Sequence, residues 1–158
     1  MFISATGSGK VKREMVESIA NFSLNLLAPR LVNKVEIDIT LMRNLIGKEE
    51  VAGDCVWEDS SYRPREFTIR VDSSQPIQTM LETVAHEMVH VKQFARGELK
   101  DLSRSEVNLC KWHGSIIKCN IVNYYDLPWE IEANGRERGI FIRWFEQSRW
   151  KNCKWAKY

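Results

Sequence analysis

Histidine is nearly missing from this chain, with three residues in 158: His86, His90 and His113. Long hydrophobic runs are missing altogether, and none approaches the roughly 20 apolar residues that span a bilayer. The opening Met1-Phe2-Ile3-Ser4-Ala5 is also too short for the core of a signal peptide. These absences predict a cytoplasmic protein with no membrane partner. Excess charge is absent too: 23 Lys and Arg face 21 Asp and Glu, a net of +2, so total charge implies no strong nucleic-acid field. The four cysteines, Cys55, Cys110, Cys119 and Cys153, are widely spread and include no C-x2-C pair. Free thiols are expected, and Cys110-x2-His113-x5-Cys119 lacks the pair and the fourth ligand of a zinc knuckle. Gly7-Ser8-Gly9-Lys10 is no phosphate loop, because Ser4 stands where the first glycine belongs and Val11 where Ser or Thr must follow. There is no internal repeat and no low-complexity segment. With 44% hydrophobic and 28% charged residues, the expectation is one globular domain over residues 1–158, a monomer.

Periodicity supplies the elements. Lys10 to Leu27 carries Val11, Met15, Ile19, Phe22 and Leu26 at three- and four-residue steps, which predicts an amphipathic helix ended before Pro29. Lys34 to Leu45 alternates, with Val35, Ile37, Ile39 and Leu41 on one side, as a half-buried strand does. Gly47 to Gly53 reads as a loop. Asp54 to Asp59 and Glu66 to Asp72 read as a hairpin turning at Ser60 to Pro64. Ser73-Ser74 offers an N-cap, and Pro76 suits the first turn of a helix over Ile77 to Arg96 that Gly97 stops. One or two short strands are expected around Gly114. Asp126 and Pro128 then open a last helix to about Trp150, in which Gly135 and Gly139 would let another backbone approach. Strands grouped before helices predict an α+β domain with helices on one side of a small sheet.

Two of the three histidines fall in His86-Glu87-Met88-Val89-His90, an H-E-x-x-H pattern in the middle of a predicted helix. A helix turns about 100° per residue, so His86 and His90 share a face and both imidazoles can reach one ion. Glu82 and Gln93 lie on that polar arc, while Leu81, Val84, Ala85, Met88, Val91 and Ala95 form the opposite, core-facing arc. Glu87 points about 100° from His86. It is placed to act as a base on a metal-bound water rather than as a third ligand. Catalytic zinc takes three protein ligands, and the candidates for the third are His113, Glu130 and Glu132. Asn134 shares a face with Glu130 and could orient a ligand, whereas Glu132 points about 200° away and has Arg136 as an i+4 ion-pair partner. His113, Tyr124 and Tyr125 are candidates to donate to an oxyanion.

His86 to His90, followed by Gln93, Gly97-Glu98-Leu99 and Pro128-Trp129-Glu130-Ile131-Glu132-Ala133, resembles the small zincin-type metallopeptidases of the gluzincin group. Most similar are the SprT-like and minigluzincin-like proteins of bacteria and tailed phages, over roughly Lys34 to Glu146. The resemblance implies a Zn2+ site of His86, His90 and Glu130, supported by Asn134, with Glu87 as catalytic base. It implies a minimal zincin-like domain. A small, twisted, mostly antiparallel sheet would pack on the HExxH helix between N- and C-terminal helices. Its edge strand along the cleft, taken as Phe67 to Val71, would receive a peptide or protein substrate as a further strand. The function so implied is zinc-dependent endopeptidase activity. The alternative is a catalytically weak binding module that recognises a protein partner or DNA. The tail supplies the DNA argument, since Arg149, Trp150, Lys151, Lys154, Trp155, Lys157 and Tyr158 mix bases with aromatics. The same tail could instead pack its tryptophans on the core, or cover the cleft and bring Cys153 to the metal.

Overall fold

Alternating apolar residues on neighbouring strands meet on one face and set the register of the main sheet. The computed structural model describes residues 2–60, 62–104 and 107–158; Ser61, in the expected turn, lies outside the described residues. Strand β1 (Ile3–Thr6), helix α1 (Lys10–Leu27), β2 (Glu36–Met42), the single-turn helix α2 (Leu45–Glu49), β3 (Gly53–Trp57) and β4 (Glu66–Asp72) follow in order. Ile37, Ile39 and Leu41 of β2 pair with Phe67, Ile69 and Val71 of β4, and all six are buried. A shift by one residue would turn this whole set to the other face, so the register is strongly specified.

The α+β class is as expected from the sequence. The strand order is β1-β2-β4-β3. The β3–β4 ladder is antiparallel, as the predicted hairpin requires, whereas β1–β2 and β2–β4 are parallel. Mostly antiparallel pairing thus describes the smaller sheet below and not this one. The reason is connectivity: α1 lies between β1 and β2 in the chain and supplies the crossover that a parallel pair needs. The edge strand is also corrected. Phe67 to Val71 belongs to β4, which is paired on both sides, and the edge strand along the cleft is β3, with β1 at the opposite edge. The expected loop at Gly47 to Gly53 overlaps the second half of α2, which is flanked by left-handed Asn44 and Glu50 (φ 58° and 60°), and ends at the first residue of β3.

Helix α3 (Ile77–Ala95) lies between the sheet and α4 (Pro128–Gln147), with α1 alongside. Leu81, Val84, Ala85, Met88, Val91 and Ala95 are all buried, as the apolar arc predicts. Burial of the leucine, valine and methionine side chains stabilises the fold by about 1.5–3 kcal/mol each through area removed from water. Pro76, not Ser73 or Ser74, is the N-cap of α3, and Leu127, not Asp126, is that of α4. At the far end Gly97 adopts φ +73° and the Glu98 amide returns to the Gln93 carbonyl, closing the helix. Gly135 and Gly139 have open space where a Cβ would sit, so no backbone uses them for close approach. The tail packs on α4 through Trp150 against Trp144 and Trp155 against Phe145. Cys153 joins that apolar cluster.

A second, antiparallel sheet of β5 (Leu99–Asp101), β6 (Leu109–Trp112) and β7 (Ser115–Lys118) sits over Leu99, Leu127 and Trp129. Its two-residue turn, His113-Gly114, has both φ angles positive, the geometry of a tight hairpin. No helix among the described residues is long and apolar enough to cross a membrane.

Candidate metal centre

Three side chains from two helices converge at the middle of the molecule. His86 and His90 are one turn apart on α3, with their Nε2 atoms 3.1 Å from each other. Pro128 occupies the first turn of α4, where its missing N–H costs nothing, and Glu130 follows in the same turn. The Glu130 carboxylate lies 3.2 Å from His86 Nε2 and 3.4 Å from His90 Nε2. All three residues are buried. A tetrahedral ion with bonds of about 2.0–2.1 Å spaces its ligand atoms about 3.3–3.4 Å apart. Glu130 faces His86 through Oε2 and His90 through Oε1, so its carboxylate straddles the imidazole pair. One donor atom from each residue lies within 4.8 Å of the others, close enough for one ion, and two imidazoles with one carboxylate suit zinc.

The outer nitrogens of both imidazoles are engaged. His86 Nδ1 is 2.8 Å from Glu137, which lies two helical turns beyond Glu130 on α4. His90 Nδ1 is 2.8 Å from Gln93 Oε1. The Tyr124 hydroxyl donates to Glu130 at 2.7 Å. That is the support expected of Asn134, which lines the cleft and makes no hydrogen bond to Glu130 among the described residues. Glu132 turns away to Lys92, Gln93 and Arg136, so the i+4 pair expected from its spacing is formed and it contributes no donor to the cluster. His113 stays in the β6–β7 turn, outside the cleft lining. Sequence reasoning missed Glu137 altogether; its seven-residue offset from Glu130 was the available signal.

Electrostatics ties the cluster together. Burial works against a charged His86, but Glu130 and Glu137 outweigh it and push its pKa up to about 10. His90 is raised as well, with burial opposing and Glu130 prevailing. Burial would raise Glu130, yet His86, His90 and Tyr124 hold it far below the usual carboxylate range. Such a site strongly favours positive charge between the carboxylate and the imidazoles, whether protons or a cation supply it.

Glu87 faces the cleft without a hydrogen-bond partner among the described residues and is only 5% exposed. Burial pushes its pKa up to about 7, against the pull of His90 and His86. The cleft runs to both sides of it. One lobe of about 480 Å³ is lined by Thr83, Tyr125, Asn134 and Glu137. The other, of about 290 Å³, is lined by Phe94, Leu99 and Trp129 and by Gly53, Asp54 and Cys55 of the β3 edge. Gly53 permits this closeness: a Cβ there would stand 2.7 Å from the Thr83 methyl, 2.9 Å from the Arg70 carbonyl and 3.3 Å from Glu87.

Comparison with family models, with curated proteins and with solved structures finds no match to this chain.

Proposed function

We propose that this protein is a zinc-dependent peptidase in which His86, His90 and Glu130 hold the ion and Glu87 is the catalytic base. The observation that carries this reading is the convergence of three buried side chains, with the two Nε2 atoms 3.1 Å apart and a Glu130 oxygen within 3.4 Å of each, beside an unpartnered buried carboxylate in an open cleft. A zinc ion held there supplies Lewis acidity to a carbonyl and lowers the pKa of water to about 7. Glu87 takes the proton of the attacking water and later passes it to the leaving amine. Tyr124 lines both lobes, and its one hydroxyl hydrogen goes to Glu130, which with burial raises its pKa and keeps it a protonated support for that ligand. The free edge of β3 runs along the cleft and can pair with an extended peptide.

The test combines metal analysis with one mutant. Wild-type protein is expected to bind one zinc per chain and to hydrolyse a denatured protein substrate. Glu130→Ala should lose the metal, and Glu87→Gln should keep it while hydrolysis falls by about 10²–10⁴-fold. Undiminished hydrolysis by metal-verified Glu87→Gln overturns the mechanism. Zinc without any hydrolysis in the wild type would favour the binding-module alternative.

A further inference from the structure

On the His90 side the centre continues into a buried polar chain that the peptidase mechanism leaves unused. Gln93 is fully buried. Its amide nitrogen reaches the Trp129 carbonyl at 3.0 Å and Glu132 Oε1 at 2.9 Å. Both groups only accept, and only the nitrogen end of the amide can donate, so the orientation of Gln93 is determined. Its oxygen must face His90 Nδ1, and because that oxygen only accepts, Nδ1 carries the hydrogen. In the neutral, metal-binding form of His90, Nε2 then carries the lone pair, on the side of Glu130 and His86. With the amide reversed, its oxygen would stand against two acceptors and its nitrogen against His90.

Glu132 does not depend on Gln93 for its own position. Both of its oxygens accept from Lys92 Nζ, at 2.9 and 2.8 Å, and one accepts from Arg136 Nε at 3.2 Å. Lys92 is itself buried and also pairs with Glu98 at 2.8 Å. A fixed negative charge thus stands behind Gln93, anchored from α3 and α4 together.

We infer that Glu132 is a positioning residue for the metal centre. Held by Lys92, it locks the Gln93 amide in the orientation that presents the His90 Nε2 lone pair to a cation. The inference rests on the zinc reading of His86, His90 and Glu130. The competing view makes Glu132 a structural bridge between the two helices, and the two views differ in what they do to metal affinity.

A double-mutant cycle read by zinc competition against a chelating dye separates them. Gln93→Leu and Glu132→Ala are each expected to weaken zinc binding by about tenfold, the scale for partners behind a ligand. Glu132→Ala should add little in the Gln93→Leu background, because both act through one path. Glu132→Gln keeps an oxygen within reach of Gln93 and the side-chain volume, so it should fold and stay within about threefold of wild type. Cobalt absorption in the same variants reports the coordination geometry. If Glu132→Ala lowers thermal stability but binds zinc like wild type, or weakens it equally in both backgrounds, the positioning role is overturned and the peptidase reading stands. If the wild type binds no zinc, the metal reading fails and this inference fails with it.

Discussion

The carboxylate of Asp72, at the end of β4, accepts from the amides of Ile46 and Ser74, each at 2.8 Å, and from the Ser74 hydroxyl. It thereby anchors the first turn of α2 and the turn that leads into α3. Burial would raise its pKa, but these hydrogen bonds outweigh burial and hold it below the ordinary carboxylate value. A group depressed in the folded state contributes stability above its unfolded pKa of about 3.9 and loses it as pH falls through the folded value. Asp72→Asn should therefore cost about 1–2 kcal/mol at pH 7. The gap to wild type should narrow as pH is lowered from about 4 through the depressed folded value. Urea midpoints at pH 7 and near pH 3 measure this. An equal gap at both would mean that the charge is not what the turn responds to.

At the scale of elements, the junction of β3 with α3 decides how Glu87 sits. Gly53→Ala places a methyl group against the Arg70 carbonyl, which is backbone and cannot swing away, and against the Thr83 methyl. The expected cost is about 1–3 kcal/mol of stability. Hydrolysis should fall further than zinc content, because the new atom crowds Glu87 rather than the three donors. Adding Thr83→Ser removes the closer clash and leaves the Arg70 one, so recovery should be partial; turnover and zinc content in the single and double mutants test this. The junction also shows what was legible in the sequence. Alternation marked β2 and β4, β3 was read as the other arm of a hairpin, and the i,i+4 histidines were readable as one helix face with Glu87 about 100° round from it. Which strand forms the edge was not readable, because order in a sheet depends on crossovers, and β1 has only Ile3 fully buried to announce it. Glu130 was one of three candidates the residues left open, and the family resemblance singled it out. Helical spacing put Glu137 on the Glu130 face and turned Glu132 toward Arg136, but that Glu137 reaches His86 and Glu132 reaches Gln93 depends on how α4 docks on α3, which no local pattern encodes.

For the molecule as a whole, the question is how α4 is kept in place, since it brings both Glu130 and Glu137 to the centre. Its second half is covered by the tail: Trp155 and Tyr158 flank Phe141 and Phe145, and the Lys157 backbone exchanges two hydrogen bonds with Gln78 of α3, at 2.7 and 3.0 Å. No tail residue lines either lobe of the cleft. The tail thus braces α4 from behind, as the reading in which its tryptophans pack on the core expects, and the alternative in which it covers the cleft with Cys153 near the metal is not met. Trp155→Ala should remove packing worth about 2 kcal/mol, less than a fully buried tryptophan because this one is half-buried. For a domain of this size that corresponds to a drop in Tm of about 4–8 °C. Removing residues 150–158 should lower Tm further. Hydrolysis per zinc-loaded, folded chain should nevertheless stay near the wild-type value well below Tm, because the tail contributes nothing to the cleft. A thermal melt paired with a turnover assay at low temperature tests both halves of this argument. Higher turnover after truncation would mean that the tail restrains the site after all.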